Sequence, residues 1–319
     1  MARHGFALIA ILFIVVGCKR QDSTPTHREG PGASAGAAAS LPEARKGFVT
    51  KHAGRKADEP VPDPPAEVFR KVMYDAPVGK CAAYLTPDAK DGKKRPAIIW
   101  ITGGDCNTIG DVWTPGLPDN DQTARQYREA GIVMMFPSLR GGNDNPGYQE
   151  GFFGEVDDVI AAAEFLARQP HVDPKRIYLG GHSTGGTLVM LVAASTDKFR
   201  AVFSFGPAED VRGYGGDFAP FDQRNPREFE LRAPGRWLHS IQCPTFVFEG
   251  TTRGNADSLY AMAMASKNPK AQFYPLRGAD HFSVLAPVNR LIAQKILKDD
   301  GATTNLAFTE DEVNEAMKR

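Results

Sequence analysis

Apolar residues arrive along this chain in short runs separated by segments of helical spacing, the arrangement of βαβ units around a mostly parallel sheet. Two opening strands are read at 68–74 and 80–85, joined by a turn at Ala76-Pro77-Val78-Gly79. The unbroken apolar run 97–102 suits a strand covered on both faces. A helix at 123–130 and a strand at 132–136 follow. Between 155 and 168, Val156, Val159, Ile160, Ala163 and Leu166 fall on one helical face. The pattern then predicts a strand at 177–179, a helix at 187–194, a strand at 201–205, two last strands at 245–248 and 271–274, and a closing helix at 288–297. There is no internal repeat.

The flanks differ from this pattern. Arg3 precedes an apolar stretch from Phe6 to Val16 that has the length of a signal peptide rather than of a membrane span. Val15-Val16-Gly17-Cys18 resembles a bacterial lipobox, which implies cleavage after residue 17 and a lipid on Cys18. An ordinary secretory signal with an incidental Cys18 is the alternative. Lys19 stands where an Asp would favour inner-membrane retention, so the expectation is a lipid-anchored protein of the cell envelope, on the outer membrane. Residues 18–65 are rich in Ala, Gly and Pro and are read as a flexible tether. The folded domain is expected at 66–302. Within it, 207–241 is a long aromatic and Pro-broken insertion before the penultimate strand, either a cap over a pocket or short helices packed on the sheet edge. Residues 303–319 form a tail in which Thr309-Glu310-Asp311-Glu312 can start a short helix.

Composition narrows the function. With 42% hydrophobic and 24% charged residues the chain is globular. Lys+Arg 38 against Asp+Glu 38 leaves no basic excess for a phosphate backbone, so nucleic acid is not an expected partner. Besides Cys18 there are Cys81, Cys106 and Cys243, an odd set that leaves at least one thiol unpaired, and no C-x-x-C spacing points to zinc or dithiol chemistry.

Gly181-His182-Ser183-Thr184-Gly185 fits G-x-S-x-G between a strand and a helix, where a sharp turn lifts a serine hydroxyl clear of the sheet. Ser183 is therefore the candidate nucleophile. Of the seven histidines, His281 follows the last strand and is the candidate base; His182 adjoins the serine with its ring directed elsewhere, and His239 lies in the insertion. Chain order serine, acid, histidine puts the acid in the loop after 245–248. Asp257 is chosen there, with Glu249 and Asp210 as alternatives; Asp280 is read as solvated. The oxyanion donors are expected from the Thr184 N–H and from Gly104 in the glycine turn after 97–102. No cofactor or metal is called for.

Pro137-Ser138-Leu139-Arg140-Gly141-Gly142, Gly154-Glu155-Val156-Asp157-Asp158, Val172-Asp173-Pro174 leading into the elbow, and Gly278-Ala279-Asp280-His281 resemble the catalytic domain of the prolyl oligopeptidase family and its dienelactone hydrolase-like relatives. The resemblance implies an α/β-hydrolase fold and a serine hydrolase that cleaves small esters or short peptides through an acyl-enzyme. Two departures stand out. No length before residue 66 corresponds to the large propeller of peptidase members, and Arg253 occupies the register where the family carries its acid. The second departure motivates an alternative, a non-catalytic binding module with an impaired triad.

Overall fold

The computed structural model describes residues 39–318; the signal segment, Cys18 and the first part of the predicted tether lie outside the described residues. Strands Arg70–Ala76 (β1), Gly79–Leu85 (β2), Arg95–Ile101 (β3), Val133–Pro137 (β4), Val172–His182 (β5), Val202–Phe205 (β6), Thr245–Gly250 (β7) and Ala271–Leu276 (β8) form an eight-stranded sheet in the order β1-β2-β4-β3-β5-β6-β7-β8. The β1–β2 hairpin and the β2–β4 pair are antiparallel, and all pairs from β4 through β8 are parallel. The helices are Leu41–Arg45 (α1), Gln126–Glu129 (α2), Glu155–Ala167 (α3), Thr184–Ala193 (α4), Pro226–Glu230 (α5), Ala256–Ala265 (α6), Leu285–Lys298 (α7) and Glu310–Ala316 (α8). This is the α/β-hydrolase arrangement.

The uninterrupted apolar run of β3 is explained by burial on both faces. Ile99 and Ile101 join Val156, Val159, Leu188 and Leu191 of α3 and α4 in one core, while Ile98 and Trp100 join Tyr127 of α2 and Val288 and Ile292 of α7 in the other. Because parallel strands all end at the same edge, the loops after β3, β5, β6, β7 and β8 gather there, which is where such sheets carry their chemistry.

The tether reading is corrected over its second half. Residues 39–65 lie along the domain as a strap. Ser40 and Glu43 form a capping box that starts α1, and Leu41 is fully buried with its N–H donating to Ser240 Oγ at 2.9 Å. Arg45 pairs with Asp157 at 2.8 Å, the Lys51 N–H donates to Glu228 Oε1 at 2.9 Å, and the Ala53 and Ala57 N–H groups donate to the carbonyls of Pro220 and Gly141. Small residues there fit close backbone approach, so hydrogen bonds and two apolar anchors, Leu41 and Val61, replace the apolar area that the composition lacks. The helix predicted at 123–130 shrinks to α2, because Asp121 accepts from the Thr123 N–H and hydroxyl and holds that segment as a turn.

The insertion packs against the helical core and also borders a cleft. It contains α5 and three 3-10 turns, at Val211–Tyr214, Pro234–Arg236 and Leu238–Ser240. Phe221, Leu231, Trp237 and Leu238 bury into the α3/α4 core. Phe218 and Pro220 instead face a cleft beside the sheet edge. In the tail, Phe308 and Val313 pack into the α7 core. Cys81, Cys106 and Cys243 are all buried free thiols, and among the described residues no helix is long and apolar enough to cross a membrane.

Candidate active site

β5 runs to His182, and α4 begins at Thr184, so Ser183 is the whole turn between them. Its backbone stands at φ 56° and ψ −116°, a region that a side chain rarely adopts and that costs about 1–3 kcal/mol unless the surroundings impose it. They do: the Ser183 N–H donates to the Phe205 carbonyl at 2.7 Å, and the Ser183 carbonyl accepts from the Thr187 N–H at 2.9 Å. At Gly185 any Cβ would run into the carbonyls of Ile101 and Thr102, so only glycine lets the helix start this close to β3. Thr184 Oγ1 donates to the Gly104 carbonyl at 2.9 Å, which ties the glycine turn after β3 to the first residue of α4. The two expected oxyanion residues are thus neighbours at a helix N-terminus, where the helix dipole favours developing negative charge.

His281 lies in the loop between β8 and α7. Its Nδ1 is 3.2 Å from both Oε1 and Oε2 of Glu249, which ends the apolar part of β7 and is 1% exposed. A carboxylate can only accept, so Nδ1 carries the proton and Nε2 is left free to act as a base. Glu249 Oε1 also accepts from the Asn255 N–H at 3.3 Å, and Asn255 Nδ2 donates to the Gly206 carbonyl at 2.7 Å. Gly206, at φ 57°, has no room for a Cβ, which would run into Glu249 Oε2 and the His281 ring.

This differs from the expected acid. Asp257 sits exposed in the first turn of α6, where it faces solvent and makes no contact with His281. The chain turns into α6 within six residues of β7, so the carboxylate that reaches the imidazole comes from the strand end and not from the loop. Arg253 is exposed in that loop. Asp210 caps its own turn through the Arg212 N–H and pairs with the Arg212 side chain, and Asp280 accepts from the Phe282 and Ser283 N–H groups. His239 Nε2 stands 3.1 Å from the Ala39 carbonyl, against the strap.

His182 has a different task. The His281 carbonyl, 2.9 Å from its Nε2, can only accept, so that nitrogen carries the proton, and Nδ1, 3.1 Å from the Gln122 side-chain oxygen, gains a hydrogen bond only with that amide turned to present its NH2. Burial, reinforced by the neighbouring His281, pushes the His182 pKa down to about 3. A neutral ring therefore props the backbone that carries His281. Gln122 and Asn255 had no signal in the sequence. Glu249 had one: a lone carboxylate closing the run Thr245-Phe246-Val247-Phe248, which needs a partner if buried.

Beside Gly104 opens a cleft of about 410 Å³. Phe218 gives it an apolar side, backed by the buried Phe152 ring with centroids 5.2 Å apart and by Tyr214 at 4.8 Å. Arg55 and Lys56 of the strap also line it. The motif residues taken from the resemblance brace this region. Arg140 binds Asp158 through Nε and Nη2 and Glu150 through Nη1, while Asn107 Nδ2 donates to the Arg140 carbonyl at 2.8 Å and to Glu155 Oε1 at 3.0 Å. Burial raises the carboxyl pKa of both Glu155 and Asp158. Among the described residues no cluster of three or more His, Cys, Asp or Glu side chains is placed to hold a metal ion.

The family model described as "Prolyl oligopeptidase family" matches residues 119–281, more than half of the chain. "Dipeptidyl-peptidase 5" of Porphyromonas gingivalis is 30% identical over 128 residues, covering 37% of this chain and 18% of that protein. "Uncharacterized peptidase YtmA" of Bacillus subtilis is 27% identical over 159 residues, covering 44% of this chain and 60% of its own length. The chain thus spans less than two thirds of the length of these relatives. Among solved structures, a puromycin-hydrolyzing peptidase of Mycobacterium tuberculosis superposes with TM-score 0.56 at 23% identity over 72% of this chain and 39% of that one. An acylaminoacyl peptidase of Pyrococcus horikoshii does so with TM-score 0.58 at 15% identity over 77% and 44%. At these identities the superpositions speak for the fold alone.

Proposed function

The chain belongs to the prolyl oligopeptidase family, and from that premise we propose that it is a serine hydrolase that cleaves an ester or short-peptide acyl bond. The Ser183 hydroxyl attacks the carbonyl carbon while His281 Nε2 takes its proton. Glu249 stabilises the imidazolium so formed, and the Thr184 N–H with the Gly104 turn receives the oxyanion. The imidazolium returns its proton to the leaving amine or alcohol, giving an acyl-Ser183 ester. Water, deprotonated by His281, then releases the acid and restores the serine.

The observation that carries this reading is the buried carboxylate of Glu249 held against His281 Nδ1, next to an elbow strained at Ser183. It also removes the motive for a non-catalytic reading, since the acid that Arg253 displaces from the loop register has a counterpart one strand-end away. A fluorophosphonate probe tests the proposal. Covalent labelling of the native protein and none of Ser183→Ala is the expected result; a folded native protein that resists the probe would overturn it. The lipobox-like Val15-Val16-Gly17-Cys18 supports a further part of the reading, anchoring to the envelope membrane through lipid on Cys18. Cys18→Ser should then move the protein to the soluble fraction, and unchanged membrane association would reject the anchor.

A further inference from the structure

Arg55 combines two properties that seldom meet on a surface. Its guanidinium is pinned, with Nη1 donating to the Phe218 carbonyl at 2.8 Å and Nη2 to the Asp217 carbonyl at 2.6 Å. Yet its charge is unanswered: among the described residues no carboxylate lies within ion-pair distance of it. Asp217 meets Arg55 through its main-chain carbonyl and not its exposed carboxylate, and two other acids of this region are engaged elsewhere. Asp58 pairs with Lys56 at 2.7 Å. Asp105, on the same cleft, accepts from the Asn107 N–H at 3.1 Å, the Thr108 hydroxyl at 2.8 Å and Gln149 Nε2 at 3.4 Å. Two of the five guanidinium N–H donors are spent on neutral carbonyls, so the others remain for a ligand.

The location gives this a meaning. Arg55 lines the cleft that begins at Gly104, the turn tied to Thr184 next to the elbow, and stands on it beside Phe218, whose carbonyl it holds. A guanidinium already fixed in orientation binds a carboxylate with less ordering cost than a free one, and its planar fork matches carboxylate geometry. We infer that Arg55 is a specificity residue: the cleft takes substrates that present a carboxylate, with an apolar side chain laid against Phe218. This rests on the hydrolase reading for its setting. The carboxylate can belong to a peptide C-terminus or to an acidic side chain, and the chemistry recognised is the same.

The test measures binding to Ser183→Ala protein, which needs no catalysis. Three probes are compared: N-acetyl-Ala-Phe-Ala as the free acid, the same peptide as the C-terminal amide, and N-acetyl-Ala-Phe-Asp amide. At least one acid is expected to bind about fivefold or more tighter than the neutral amide, with a preference that shrinks as salt is raised. Which acid wins identifies the source of the carboxylate. In Arg55→Gln on the same background the acid-to-amide ratio should fall to about one. The ratio is read within one variant, so a general loosening of the strap cancels. Thr50→Val, which breaks the strap's hydrogen bond to Arg232 Nη2 without touching Arg55, should keep it. A native ratio near one, a preference that survives Arg55→Gln, or its loss in Thr50→Val would each overturn the inference. Native protein that shows the ratio but turns over no substrate would sink the hydrolase proposal and leave this one standing.

Discussion

The choice of acid is the sharpest prediction, because two carboxylates eight residues apart compete for one role. Glu249 is 1% exposed and has both oxygens 3.2 Å from His281 Nδ1, whereas Asp257 faces solvent on α6. Glu249→Gln keeps shape and volume but replaces an acceptor-only group by an amide that can donate to Nδ1. The ring then takes the tautomer with its proton on Nε2, and the serine loses its base. Removing the acid from a serine triad by such a substitution lowers kcat by about 10³–10⁴-fold, equivalent to about 4–5.5 kcal/mol of transition-state stabilisation. KM should change little, since Glu249 does not line the cleft. Asp257→Asn should stay within about twofold of native protein, as an exposed group with no partner in the site. The assay is hydrolysis of p-nitrophenyl esters and aminoacyl anilides, with thermal unfolding as a check on the fold. A Glu249→Gln enzyme within tenfold of native kcat, or an equal fall in Asp257→Asn, would refute the assignment.

Three further outcomes follow from the same geometry. Gly206→Ala should abolish most turnover, since its Cβ would displace Glu249 or His281, while costing about 1–3 kcal/mol in unfolding experiments; full activity would show that the pair tolerates movement. His182, whose folded-state pKa is lowered to about 3 by burial, contributes stability that is complete above its unfolded value near 6.5 and is lost as pH falls toward 3. Its share of the slope is at most about 1.4 kcal/mol per pH unit across that window, and a His182→Gln variant with an unchanged acid-side slope would contradict this. Leu41→Ala should lower stability by about 2–5 kcal/mol, because the side chain is fully buried; an unchanged melting temperature would return residues 39–65 to the status of a loose tether.

How much of this was legible beforehand depended on the range of the interactions involved. The sheet was read from apolar runs because β3, β6 and β7 are buried on both faces, and that condition writes itself into consecutive residues. Ser183 was legible because its strained turn demands glycines at fixed offsets, and His281 because the strand before it ends where the chemistry collects. The acid was not resolved, since Glu249 and Asp257 differ only in the direction each points, and direction depends on where β7 stops and α6 starts. The strap escaped for a related reason. Its composition is that of a linker, and its order comes from hydrogen bonds to residues 80 to 200 positions away, such as Leu41 to Ser240 and Ala57 to Gly141. Such pairings leave no local period, because each strap residue is matched to a different partner element. The same property makes the strap consequential: a segment with little core of its own, held at the rim of the cleft by Arg55 and by Arg232 through Thr50, can diverge in sequence without unsettling the sheet. Substrate preference would then evolve in the strap and the insertion, while the elbow and its Glu249–His281 pair stay fixed by the packing of β5, β6 and β7.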